Sequence, residues 1–150
     1  PRILSSAASD VYKRQDRGYS CAFRQWSAKS NCKYLHGYSL GFKITLQSPT
    51  LDVNNWVYDF GNFSFLEDWL IQNFDHTLLV AQNDPEKEML KLLNTKVARV
   101  IELEKISCEY FAEMTYKYID EHLSNIDVEV ISVEVSEHGS NAAIYTKLNA

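Results

Sequence analysis

Cys32-Lys33-Tyr34-Leu35-His36-Gly37-Tyr38-Ser39-Leu40-Gly41-Phe42-Lys43-Ile44-Thr45-Leu46-Gln47 is the stretch that sets the reading of the fold. From Tyr38 onward it alternates without a break. Tyr38, Leu40, Phe42, Ile44 and Leu46 share one face, and Ser39, Gly41, Lys43, Thr45 and Gln47 share the other. A period of two with one apolar side predicts a half-buried strand. Residues 19–26 read as the strand before it, with Tyr19, Cys21 and Phe23 on one face. Residues 48–55 carry Pro49, Asp52, Asn54 and Asn55 and read as a loop.

Beyond that loop the period changes. Phe63, Leu66, Leu70 and Phe74 recur at helical spacing, so a helix is predicted over 63–74 with Asn62 as its cap. Asp84-Pro85 predicts a second, shorter helix to about residue 93, with Pro85 at its first position. Residues 96–102 form a short strand candidate. Ser107 is an N-cap candidate for a helix to about Leu123, whose inner stripe is Cys108, Ala112, Thr115, Ile119 and Leu123. Residues 128–135 are β-branched and strand-like, Gly139-Ser140-Asn141 is a turn, and 142–148 is the last strand. Hairpins segregated from helices predict an α+β domain, an antiparallel sheet covered on one face.

The chain has 150 residues, which suits one domain. Hydrophobic residues make up 45%, enough for a core and too many for a disordered chain. A net charge of −5 with dispersed charge argues against a nucleic-acid partner. No apolar run reaches the roughly 20 residues of a membrane span. Three cysteines, Cys21, Cys32 and Cys108, are too few and too scattered for a disulfide framework, so a reducing, cytoplasmic setting is expected. Residues 1–15, PRILSSAASDVYKRQ, show no period and end in a basic cluster. They read as a translated adapter or a disordered tail outside the fold, and 16–150 as the single domain. Residues 1–15 carry a net +2, which leaves −7 on the remainder.

Several residues can carry chemistry. Cys32 stands four before His36, which suits a thiolate with a base or metal beside it, or simply a small buried hydrophobe. Asp75-His76 follows the first helix, and a carboxylate beside an imidazole can fix its tautomer for proton transfer. It can equally be a helix-terminus histidine answering the helix dipole. Glu137 continues the parity of Ile131, Val133 and Val135, so its carboxylate aims inward at a strand end and needs a partner. That partner is a ligand with an amidine-like N–H pair or a structural cation. Glu109 is a second anchor or an ordinary first-turn glutamate. Arg24 and Lys33 meet phosphates or are solvated surface.

In combination these pieces resemble the 6-pyruvoyl tetrahydropterin synthase / 6-carboxytetrahydropterin synthase family. The resemblance runs from Tyr19 to Tyr145. It is carried by Cys32-Lys33-Tyr34-Leu35-His36-Gly37-Tyr38 against a Cys-x-x-x-His-Gly-His stretch, and by Val57-Tyr58-Asp59-Phe60-Gly61 against Val-x-Asp-Phe-Gly. Asp75-His76-Thr77-Leu78-Leu79 matches Asp-His-x-x-Leu, Ser107-Cys108-Glu109 matches Thr-x-Glu loosely, and Glu137-His138 matches Glu-Thr. The resemblance implies the tunnelling fold, or T-fold: a four-stranded antiparallel sheet with helices on one face, assembled into an oligomeric barrel. It implies a trimer or hexamer with sites between subunits. It implies a lyase acting on 7,8-dihydroneopterin triphosphate, on the route to queuosine and other deazapurines. By position, Cys32, Asp75 and His76 would be catalytic, and Glu137, Glu109 and Ser107 would hold the pterin.

The family also implies Zn²⁺ held by three histidines, one on the first strand and two in His-Gly-His. Here His36 is present, the second position is Tyr38, and the first-strand position reads as Trp26 or near it. Indole does not ligate zinc, and phenol is a poor substitute for imidazole. His122 reads as surface, while His138 stands beside Glu137 as a possible rescuing ligand. Two rival functions follow from this departure. One is a pterin- or purine-binding paralogue without lyase activity, and the other is a zinc-independent enzyme that cleaves or epimerises the pterin side chain.

Overall fold

The structure is a computed structural model that describes residues 11–14 and 18–149. Its strands are β1 (Val11–Arg14), β2 (Tyr19–Phe23), β3 (His36–Gln47), β4 (Thr77–Ala81), β5 (Arg99–Leu103), β6 (Glu129–His138) and β7 (Asn141–Thr146). Its helices are α1 (Ser64–Phe74), α2 (Lys87–Lys91) and α3 (Cys108–Leu123). The sheet order is β5-β4-β2-β3-β6-β7, with β1 also paired to β3. This is the expected α+β arrangement, but the sheet is larger than four strands and not wholly antiparallel. β4 runs parallel to both β2 and β5.

β4 was invisible to periodicity for a physical reason. All five of its residues are buried. Leu79 and Ala81 join the main core, while Leu78 and Val80 pack with Leu90 on the opposite side. A strand covered on both faces shows no alternation. β1 lies in the segment assigned outside the domain, yet Val11 to Arg14 pair with Leu46 to Lys43 of β3. Residues 1–10 and 15–17 of that region lie outside the described residues.

The alternating strand behaves as its pattern demands. Leu40, Phe42, Ile44 and Leu46 are buried, as are Tyr19, Cys21 and Phe23 of β2. The stripes of α1 (Leu66, Leu70, Phe74) and α3 (Phe111, Ala112, Thr115, Ile119, Leu123) cover that face. Ser107 caps α3, its hydroxyl accepting from the Tyr110 N–H at 3.1 Å. Asn62 is not a cap. Asp59 accepts from the Gly61 N–H at 2.8 Å and opens a 3₁₀ turn over Phe60–Phe63 that runs straight into α1. Pro85 likewise precedes α2 rather than opening it, and Asp84 holds the Glu86 N–H at 2.8 Å.

Phe111 joins the layers. Its ring lies 5.5 Å from Phe23 and 5.3 Å from Phe74, both edge-on. Phe111→Ala is expected to cost about 3–5 kcal/mol, read as a lower midpoint in urea at unchanged slope.

A second prediction concerns acid. Arg24 donates to Asp84 through Nε at 2.8 Å and Nη2 at 2.5 Å, and the Asp84 carboxylate is buried. The guanidinium, with the Glu86 N–H, holds the Asp84 carboxyl below its usual range. A depressed carboxyl contributes stability above its unfolded pKa and loses it as pH falls through the folded value. The stability gap between wild type and Asp84→Asn should therefore be full at neutral pH. It should narrow below about pH 4, measured by urea unfolding at each pH.

Candidate functional site

The candidate site forms where β2, β3 and β6 meet the first turn of α3. Cys21 pairs with Tyr38 and Phe23 with His36 across the β2–β3 ladder, which puts Phe23, His36 and Tyr38 on one patch. Their ring centroids stand 5.4 Å (Phe23–His36), 5.0 Å (His36–Tyr38) and 5.4 Å (Phe23–Tyr38) apart. The ring of His138 is 6.0 Å from Tyr38. Phe23 is thus the first-strand residue opposite His36. Trp26 is not: it lies past the end of β2, and its Nε1 donates to Asn83 at 3.1 Å. Strand pairing places the residue, and counting along the loop did not.

Glu137 reaches this patch by an irregularity. The β6–β7 register shifts between Ser136 and His138, so Glu137 sits in a bulge. Bulges near sheet ends re-aim side chains. Its carboxylate accepts hydrogen bonds from Tyr38 and Cys108. Glu137 does not continue an inward row that begins at Ile131. A second shift at Thr45/Leu46 makes Val130 (1% exposed) the inward residue and leaves Ile131 half-exposed. Val133 and Val135 remain inward as read.

Burial and then Glu137 raise the Tyr38 phenol above its usual range, so Tyr38 stays protonated and donates. Burial, reinforced by Glu137, pushes the Cys108 thiol to about 12, and burial alone takes Cys21 to about 12. Cys32 is half-exposed beside Tyr38, at the centre of a 3₁₀ turn over Asn31–Lys33, and its carbonyl accepts from the Gln25 N–H at 2.9 Å. Thiolates are the reactive form of cysteine. One thiol of three should therefore react with a maleimide in the native protein at about pH 8. Mass spectrometry should show that the adduct is lost in Cys32→Ala.

Asp75 and His76 lie elsewhere. Asp75 ends α1, and Nδ1 of His76 stands 3.2 Å from Asp75 Oδ1. The imidazole is 80% exposed and the carboxylate 10%. His76 has φ 55°, a left-handed backbone uncommon outside glycine. The turn is held by the His76 N–H on the Ser20 carbonyl at 2.6 Å and by Asp75 Oδ1 near the Ser20 N–H at 3.4 Å. Cys21 pairs with Thr77 on one side and Tyr38 on the other. Tyr38 therefore lies two strand spacings, about 10 Å, from Thr77 beside that turn.

Glu109 is exposed on the first turn of α3, near enough to oppose ionisation of Cys108. His122 is exposed and stacked 3.5 Å from Phe65. A cleft of about 380 Å³ that sequence reading missed opens beside the site, lined by Arg24, Trp26, Asn83, Lys105 and Ile106. Its residues come from three separated segments, which leaves no local signal. Arg24 is engaged by Asp84 there, and Lys33 lies over the Tyr34 ring at 5.1 Å.

Residues 11–148 match the sequence profile of the family described as 6-pyruvoyl tetrahydropterin synthase. The chain belongs to that family. Among curated relatives, a 6-carboxy-5,6,7,8-tetrahydropterin synthase from Rickettsia bellii is 37% identical over 59 residues. That match takes in 39% of this chain and 43% of the relative, so the chain spans less than half the length of that protein. The Aquifex aeolicus protein of the same name is 26% identical over 135 residues, 85% of this chain and 83% of the relative. Among solved structures, an uncharacterised protein from Wolinella succinogenes superposes with a TM-score of 0.81 at 16% identity, covering 95% of this chain and 99% of that one. The 6-pyruvoyl tetrahydropterin synthase of Plasmodium falciparum superposes with a TM-score of 0.68 at 14% identity, covering 94% and 98%. These likenesses show the fold, which is the T-fold of this family.

The donor set does not fit the zinc ion that the family resemblance implies. Phe23 offers no donor, Tyr38 is a protonated phenol held on Glu137, and His36 has Nδ1 at 2.6 Å from the Tyr34 carbonyl, which leaves one nitrogen. Among the described residues no group of three histidine, cysteine or acidic side chains is placed to hold a metal. No helix among the described residues is long and apolar enough to cross a membrane.

Proposed function

We propose that this chain acts as a 6-carboxy-5,6,7,8-tetrahydropterin synthase-like lyase on 7,8-dihydroneopterin triphosphate. The supporting observation is the Glu137 carboxylate, aimed from its bulge onto Tyr38 and Cys108 at the mouth of an aromatic patch. A carboxylate so placed matches the paired N–H groups of a 2-amino-4-oxo pyrimidine edge. Two parallel charge-assisted hydrogen bonds fix both affinity and orientation. Ser107, which caps α3, and Glu109 flank that edge.

Bound this way, the pterin side chain lies toward Cys32, which acts as base at its C–H. Asp75 holds the Nδ1 proton of His76, so Nε2 is free to exchange protons with the side-chain hydroxyls. In an oligomeric ring with sites between subunits, a second subunit would bring this pair to Cys32. With one water consumed, its products would be 6-carboxytetrahydropterin, acetaldehyde and triphosphate, a step toward queuosine and other deazapurines.

A second reading is favoured because His36 is the one imidazole of the Phe23–His36–Tyr38 triangle: a pterin binder, or a zinc-independent side-chain aldolase or epimerase. The test is to incubate the chain with 7,8-dihydroneopterin triphosphate and assay acetaldehyde and triphosphate. Release of both supports the lyase. Fluorescence-detected binding with no product supports the binder, and an altered C6 side chain with triphosphate retained supports the aldolase or epimerase.

A further inference from the structure

The Phe23, His36 and Tyr38 rings form a nearly equilateral triangle with sides of 5.4, 5.0 and 5.4 Å. That size has a chemical meaning. Three imidazoles bound through nitrogen to one tetrahedral zinc at about 2.0–2.1 Å put their ring centres about 3 Å from the metal and about 5 Å from one another. The triangle thus has the dimensions of a three-imidazole metal centre. It holds one nitrogen where such a centre needs three. The backbone explains the match: Phe23 and His36 are directly paired across two strands, and Tyr38 is two residues on, on the same face.

Other contacts take the place of metal bonds at all three rings. Phe23 is buried and edge-on to Phe111, so its ring belongs to the core as well as to the patch. Tyr38 turns its hydroxyl to Glu137. His36 spends one nitrogen on the Tyr34 carbonyl. Each ring has a partner that does not involve a metal.

We propose that Phe23, His36 and Tyr38 form a metal-free aromatic face beside Glu137, and that imidazole at two positions, Phe23→His with Tyr38→His, is enough to install a zinc centre there. The face would meet a planar heterocycle by ring contact while Glu137 takes its N–H pair. The ligand class rests on the pterin reading above, and the metal statement does not.

The experiment uses the full chain, purified, dialysed against zinc and then against metal-free buffer. Metal is counted by mass spectrometry, and Co²⁺ is titrated for the visible bands of a tetrahedral site. Wild type is expected to hold far less than one zinc per chain, and the double variant close to one, with tetrahedral Co²⁺ bands. Stoichiometric zinc in wild type would overturn the proposal. So would a folded double variant, by circular dichroism, that takes up no metal. Should the double variant fail to fold, Tyr38→His gives the reading, because that ring is half-exposed. It supplies a second imidazole and should bind Co²⁺ at least tenfold tighter than wild type, and equal affinity would overturn the geometry. Loss of pterin binding would instead sink the functional reading and leave the metal counts standing.

Discussion

Cys32→Ala is expected to lower turnover of 7,8-dihydroneopterin triphosphate by about 10²–10⁴-fold while leaving pterin affinity nearly unchanged. The thiol is half-exposed and near enough to Tyr38 to act on its phenol, as Glu137 also does. In the proposed pose Cys32 meets the side chain of the pterin and Glu137 its pyrimidine edge. It acts when the C–H bond breaks, so its loss falls on kcat and spares ground-state binding. Cys21 and Cys108 cannot take over, because both thiols stay protonated in the core. Steady-state kinetics beside a fluorescence titration make the separation. An unchanged kcat would remove Cys32 from the chemistry. A parallel loss of affinity would make it a binding residue.

Glu137→Ala should weaken pterin binding by about 100-fold. A pair of hydrogen bonds to a carboxylate contributes about 3 kcal/mol, which corresponds to roughly two powers of ten in Kd. Glu137→Gln should fare little better, because its amide presents an N–H where the ligand also presents one. Both variants leave Tyr38 and Cys108 without their acceptor, so binding must be read beside melting temperature. The two effects differ in kind. A folding defect lowers the fraction of competent protein, whereas loss of the anchor raises Kd for every folded molecule. Titration of neopterin, which lacks the triphosphate, isolates the pyrimidine edge. Unchanged affinity for neopterin in a folded Glu137→Ala protein would mean that the ligand is held elsewhere.

Much of the architecture is legible in local pattern. The alternation from Tyr38 to Gln47 marks β3, the Phe63–Leu66–Leu70–Phe74 spacing marks the inner stripe of α1, and Ser107 with its stripe places α3 at Cys108–Leu123. These elements are readable because each has one wet and one dry face, and contrast along the chain is what periodicity records. The residues that resemble the family, Cys32, His36, Asp75, His76 and Glu137, could likewise be found in order along the chain, since short motifs survive where overall identity is low.

Long-range pairing settled the rest. β4 is dry on both faces and offers no contrast, so its existence and its parallel pairing to β2 and β5 emerged with the packed sheet. Bulges at Ile131 and Glu137 depend on how β6 fits its two neighbours, and the first decides that Val130 rather than Ile131 points inward. Phe23 rather than Trp26 faces His36 because two strands pair in one register. Thr77, beside the Asp75–His76 turn, stands two strands from Tyr38 because β2 pairs with both β4 and β3. Residue types and local periods are properties of a segment. Which side chains share a pocket depends on hydrogen bonds between segments far apart in the chain, and those form only when the whole core closes.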